Sequence, residues 1–197
     1  MRAQGLRILL SRHKHIRSLK RTHSPSAHGN RPWSSSWLLI DYLKRKGLPE
    51  RIHVLEVGCG WGLSGIFCAR KFHADVTAAD IDPDVFPYLQ LHAEINGVRV
   101  QAVEKGFDDL RIKHLRKFHA LIAADVCFWD SMVEPLRRLF SRAVRAGVRL
   151  VLIADPGRST FFRLQDRIPK HRRAEMITWK ASRPRAIEGH ILRIGRL

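Results

Sequence analysis

The chain has little that would brace it covalently or anchor it in a bilayer. Its 197 residues include three cysteines, Cys59, Cys68 and Cys127, which form no C-x-x-C pair and fall inside apparent core elements. That spacing speaks against a zinc site or a disulfide scaffold and for buried thiols in a reducing compartment. Apolar runs stay far short of the roughly 20 residues a membrane helix needs, so no span is expected. The 11 histidines show no H-E-x-x-H or similar spacing, and His13, His15, His23 and His28 sit among basic residues, so no metal site is expected. Internal repeats and low-complexity tracts are also missing.

Acid is scarce and unevenly placed: 18 Asp and Glu stand against 36 Lys and Arg, a formal charge of +18. Residues 1–32 carry eight bases and no acid, residues 33–155 seventeen bases and fifteen acids, and residues 156–197 eleven bases and three acids. The middle of the chain is nearly neutral, and its basic flanks suit solvated surface, an acidic protein or a nucleic acid. With 45% hydrophobic residues the chain is sized for one core. We expect a basic leader over residues 1–32 and one domain over residues 33–197. The leader, with Leu6, Ile8, Leu9, Leu10, Ile16 and Leu19, fits an amphipathic helix docked on a cytoplasmic protein or a mitochondrial presequence.

Turn residues from Ser24 to Pro32 precede a helix expected over Ser34–Lys46, stopped by Gly47. Strands are expected at His53–Val57, Asp75–Ala79, Val98–Val103, Ala120–Ala124 and Arg149–Ile153. Helices separate them: Leu63–Lys71, Pro83 to about Asn96, and Ser131–Ala146. A short helix over Ser159–Arg167 and two last strands, Glu175–Trp179 and His190–Ile194, complete the pattern. Such alternation implies an α/β fold with a mainly parallel sheet and an antiparallel edge.

The most informative stretch is Glu56-Val57-Gly58-Cys59-Gly60-Trp61-Gly62, where a strand meets a glycine-rich turn and a helix. Alternate glycines let backbone approach a ligand closely. Leu63 stands where the dinucleotide pattern G-x-G-x-x-G has its third glycine, and Glu56 precedes the first one. A carboxylate there would repel a pyrophosphate and attract the cationic amino end of S-adenosylmethionine. Asp80, ending the second strand, is placed to accept ribose hydroxyls, a feature shared with nicotinamide nucleotides. Taken together, these residues point to S-adenosyl-L-methionine.

On these motifs the chain resembles the class I, seven-strand S-adenosylmethionine-dependent methyltransferases, with a Rossmann-like, doubly wound, mainly parallel seven-stranded sheet and an antiparallel C-terminal edge. Trp37 before the first strand, Asp80-Ile81-Asp82-Pro83, Asp125-Val126-Cys127-Phe128 and Asp155-Pro156-Gly157-Arg158 carry a narrower likeness. They are similar to the protein-lysine methyltransferase group that includes the electron-transfer-flavoprotein β-subunit enzyme, with its bacterial nicotinamide N-methylase-like relatives.

The resemblance implies cofactor contacts from Trp37, Glu56, Gly58, Gly60, Gly62, Asp80, Asp125 and either Asp108 or Asp109 at the adenine. It implies Asp125 and Phe128 at the reacting centre and Phe128 with Trp129 on the acceptor side, where aromatic faces suit a cationic side chain. For Asp108 and Asp109 the alternative is a helix start; for Trp37 and Trp129 it is core packing. The expected reaction is in-line methyl transfer to a protein lysine. Alternatives are a small-molecule amine, RNA or DNA, or a non-catalytic cofactor-binding partner protein. Val126 and Cys127 replace the two prolines expected of exocyclic-amine nucleic-acid enzymes.

Overall fold

A computed structural model describes residues 1–26, 28–169 and 173–197. A seven-stranded sheet holds, in chain order, β3 (His53–Val57), β4 (Asp75–Asp80), β5 (Gln101–Glu104), β6 (Ala120–Ala124), β7 (Leu150–Asp155), β8 (Ala174–Ala181) and β9 (Ile187–Gly195). Their spatial order is β5-β4-β3-β6-β7-β9-β8. The first five are parallel, while β9 runs antiparallel to both β7 and β8. The order reverses between β3 and β6, so the crevice at their carboxyl ends is the natural ligand site of such a sheet.

Two-residue alternation divides the core. Val54, Val76, Ala120, Ile122 and Leu152 pack against α2 (Ser34–Lys46), α3 (Leu63–Phe72) and α4 (Phe86–Ile95). Leu55, Leu121, Ala123, Val151 and Ile153 pack on the other face against α5 (Ile112–Leu115), α6 (Asp130–Arg145) and α7 (Ser159–Asp166). Strands β6 and β7 are apolar along nearly their whole length because helices cover both faces. Each fully buried Leu or Ile contributes about 1.5–3 kcal/mol by leaving water.

Two expected boundaries move. Residues 98–100 close the end of α4, where the Val98 N–H bonds to Ala93 O, so β5 starts only at Gln101. Pro83–Val85 forms a separate 3₁₀ turn before α4, with the Asp82 side chain accepting from the Asp84 N–H at 3.0 Å.

The leader is part of the same core, so the expected boundary at residue 33 does not separate it from the domain. A small hairpin, β1 (Arg2–Ala3) with β2 (Leu6–Arg7), precedes α1 (Lys14–Thr22). Leu6 and Ile8 join the main core, and Ile16 packs with Trp61 and Tyr88. Asn96 exchanges two hydrogen bonds with the Arg7 backbone, at 2.8 and 2.9 Å, and Gln4 Nε2 donates to Asp41 Oδ2 at 3.1 Å. Sequence periodicity misses the hairpin because its strands are two residues long.

Candidate active site

The loops after β3, β4, β5 and β6 meet Ser26 and residues 28–33 around a cavity of about 290 Å³. Its floor includes Gly58, Gly60 and Gly62. Gly60 has φ +51°, and a Cβ there would meet no protein atom within 4 Å; at Gly62, φ +70°, it would drive into the Leu89 side chain. One glycine leaves room in the cavity, and the next lets the loop close on α4. The Gly60 N–H donates to Asp80 Oδ2 at 2.9 Å, and the Asp82 N–H to Asp80 Oδ1 at 3.1 Å. Burial raises the Asp80 pKa, those N–H groups pull it back, and Asp82 adds repulsion.

Glu56 lies beneath the loop, 3% exposed, and its Oε2 accepts from the Gly65 N–H at 3.0 Å. Burial pushes its pKa up to about 8 against that backbone bond. It therefore fixes the start of α3 as well as lining the cavity. The Cys59 thiol, also on the wall, is pushed up by burial and by the nearby Asp80 and Glu56.

At the other end, the ring of Phe128 stacks on His28 with 4.3 Å between centroids and meets Trp33 edge-on at 5.4 Å. Trp33 is anchored by its Nε1, which donates to His28 O at 2.6 Å. The Trp61 Nε1–H binds Gly29 O at 3.0 Å, and the Ser26 N–H binds Asp82 Oδ2 at 2.6 Å, so Ser26 and residues 28–33 are strapped over the cavity.

Asp125, 5% exposed and at φ +56°, lines the cavity as expected, but both of its oxygens are taken. Oδ2 accepts from the Ser35 N–H at 2.9 Å, and Oδ1 from Arg158 Nη1 at 3.0 Å. The same Nη1 donates to Asp155 Oδ2 at 2.6 Å, and the guanidinium lies 4.3 Å from the centre of the Phe128 ring. In this arrangement Asp125 positions α2 and Arg158, in place of the expected free carboxylate.

Four other candidates lie off the cavity wall. Asp108 is over half exposed and pairs with Arg138 at 3.0 Å and Arg142 at 3.7 Å, while the Asp109 carboxylate caps the Gly106 N–H at 2.9 Å. Neither lines the cavity; Lys105, Gly106 and Phe107 do. Trp37 points into the core, because one helical turn separates it from Trp33, which takes the wall position just before α2. Trp129 is 58% exposed before α6; it touches the edge of His28 but does not line the cavity. Reasoning from the sequence missed Trp33, His28, Arg31 and Arg158. Asp-Pro-Gly-Arg flagged the last as a turn, and nothing local signals the others.

A family model described as a methyltransferase domain matches residues 54–147. The matched segment is similar to a methyltransferase domain, the fold is the Rossmann-like one of solved methyltransferases, and the cofactor that such a domain implies is S-adenosyl-L-methionine. The residues fit that group: open floor at Gly60, a half-buried carboxylate at Asp80, and apolar walls from Ile81, Phe107 and Met132.

Among particular proteins, the chain is 27% identical to the ubiquinone biosynthesis O-methyltransferase of Xylella fastidiosa (strain M23), covering 71% of this chain and 63% of that one. It is 27% identical to the electron transfer flavoprotein beta subunit lysine methyltransferase of Xenopus laevis over 55% of this chain and 43% of that one. The chain thus spans less than two thirds of the length of these relatives. A solved structure, the precorrin-6y C5,15-methyltransferase of Geobacter metallireducens, superposes with a TM-score of 0.61 at 10% identity, covering 90% of this chain and 95% of that one.

Proposed function

We propose that this chain is an S-adenosyl-L-methionine-dependent methyltransferase whose acceptor is a small molecule. The cofactor, when bound, supplies an electrophilic methyl group carried on a sulfonium. The chain's task is then to hold a nucleophile in line with that carbon and keep water out. Gly58, Gly60 and Gly62 form the bed, Asp80 offers its carboxylate to hydroxyl groups, and Phe107 and Met132 give apolar walls. His28, Trp33 and Phe128 form a flat aromatic flank suited to a planar acceptor.

The observation that carries the acceptor reading is the state of Asp125. With Ser35 and Arg158 on its two oxygens, it is poorly suited to receive a lysine ammonium. The similarity to the Xylella O-methyltransferase supports the same choice. Lysine methylation is the second reading, supported by the Xenopus relative and by the spacing of Asp125 and Phe128. The test incubates purified protein with radiolabelled cofactor and an extract lacking the enzyme, with parallel protease and nuclease digestion. Label in low-molecular-mass material is expected; a discrete protease-sensitive band would move the assignment to lysine, and nuclease-sensitive label to nucleic acid.

A further inference from the structure

Five ionisable side chains line the cavity: Glu56, Asp80, Asp125, Arg31 and Lys105. The three acids are engaged by backbone N–H groups or by Arg158. Neither cation has an acidic partner among the described residues. Arg31 and Lys105 are therefore the groups of this wall with which an anionic ligand would pair. Arg31 is also held in place: its guanidinium lies over the Trp33 indole, 4.3 Å from the ring centre, and that indole is anchored to His28 O. A guanidinium resting on an aromatic face keeps its N–H donors free at its edge, in a fork that matches a carboxylate.

We infer that Arg31 is the acceptor's specificity residue, and that the acceptor is a planar small molecule bearing a carboxylate, its ring against Trp33 and Phe128 and its anionic group on the Arg31 fork. This rests on the methyltransferase reading above and narrows its acceptor class. Lys105 adds a second positive charge to the wall, and the formal +18 of the whole chain favours the approach of anions. A lysine ammonium, by contrast, meets uncompensated positive charge at the same wall.

The test uses the full chain saturated with S-adenosylhomocysteine and two probes of one shape, benzoate and the uncharged benzamide, followed through the Trp33 indole N–H by NMR. Benzoate should give a saturable shift at lower concentration than benzamide. Arg31→Gln should weaken benzoate about tenfold, the loss expected for one hydrogen bond to a charged group, and leave benzamide unchanged. Arg31→Lys should recover part of the loss. Equal affinity for both probes, no saturable shift, or an Arg31→Gln variant that binds benzoate normally would overturn the assignment. Calorimetry with S-adenosylhomocysteine separates the two levels. Failure of the native chain to bind it sinks the methyltransferase reading and this inference with it. Loss of that binding only in Arg31→Gln makes the cofactor's own carboxylate the ligand and overturns the acceptor role.

Discussion

Replacing Gly60 and Gly62 by alanine, one at a time, separates the two tasks of the cofactor loop. Both have left-handed φ, so both variants bear a backbone cost of about 1 kcal/mol. At Gly60 nothing more is added, because the new methyl group enters open cavity. At Gly62 it collides with Leu89, a fully buried α4 residue, and relief of that overlap costs a further 1–3 kcal/mol, about 3 kcal/mol in all. For a chain of this size each kcal/mol lowers the melting midpoint by about 2–4 °C. Gly60→Ala should therefore lose about 3 °C and Gly62→Ala about 9 °C. Affinity should fall at least about tenfold in the milder variant, since the methyl group occupies the cofactor bed. Calorimetric melting and titration with S-adenosylhomocysteine read both quantities. A Gly60→Ala protein that binds normally would refute the placement of the bed, and equal destabilisation of the two would refute the steric argument.

Arg158→Ala leaves Asp125 and Asp155 buried without their shared cation, and urea unfolding should show a loss of about 3 kcal/mol; a loss near zero would mean that the backbone donors alone suffice. Glu56 predicts a pH dependence. Its pKa of about 8 in the folded chain lies above the ordinary 4.5, so between those values the unfolded state sheds a proton that the native state keeps, and stability falls as pH rises. Glu56→Gln should therefore gain stability relative to the native chain across that window, and a constant difference would reject the raised pKa. Trp61→Phe deletes the bond to Gly29 O, worth about 1 kcal/mol, and should speed amide exchange in residues 28–33; unchanged exchange would show that other contacts hold the strap.

The sheet was legible because the buried strands have few alternatives. Ala120–Ala124 has no polar residue, and its observed limits match the expected ones. The cofactor half of the site was equally local, with Glu56, the glycines and Asp80 at strand ends that the sheet brings together whatever the rest of the chain does. Asp108 was illegible because a loop acid can turn to solvent, and two α6 arginines, Arg138 and Arg142, hold it there. Trp37 lies one turn farther along α2 than Trp33, about 6 Å of rise on the same side, which carries it past the cavity into the core; composition does not say where along the helix the cavity ends. The leader's role was illegible for a deeper reason. Its Gly29, and Trp33 just beyond it, act through contacts with Trp61 and Phe128, residues more than 30 positions away.

That division bears on what similarity can say about the acceptor. The matched domain segment, residues 54–147, contains the glycine loop, Asp80, Asp125 and Phe128. It stops short of His28, Arg31, Trp33 and Ser35 on one side and of Arg158 on the other, so the two groups that bind Asp125 and the guanidinium on Trp33 lie outside it. A relative can share the whole matched segment and still present a bare carboxylate to its acceptor. Equal identity of 27% to an O-methyltransferase and to a lysine methyltransferase is then no paradox. Sheet and cofactor loop are common ground, while the sign of the charge facing the acceptor is set by whichever segment folds over the mouth. In this chain that segment carries Arg31 on Trp33, so the carboxylate-bearing acceptor inferred above rests on those two residues, while the small-molecule reading rests on the contacts of Asp125.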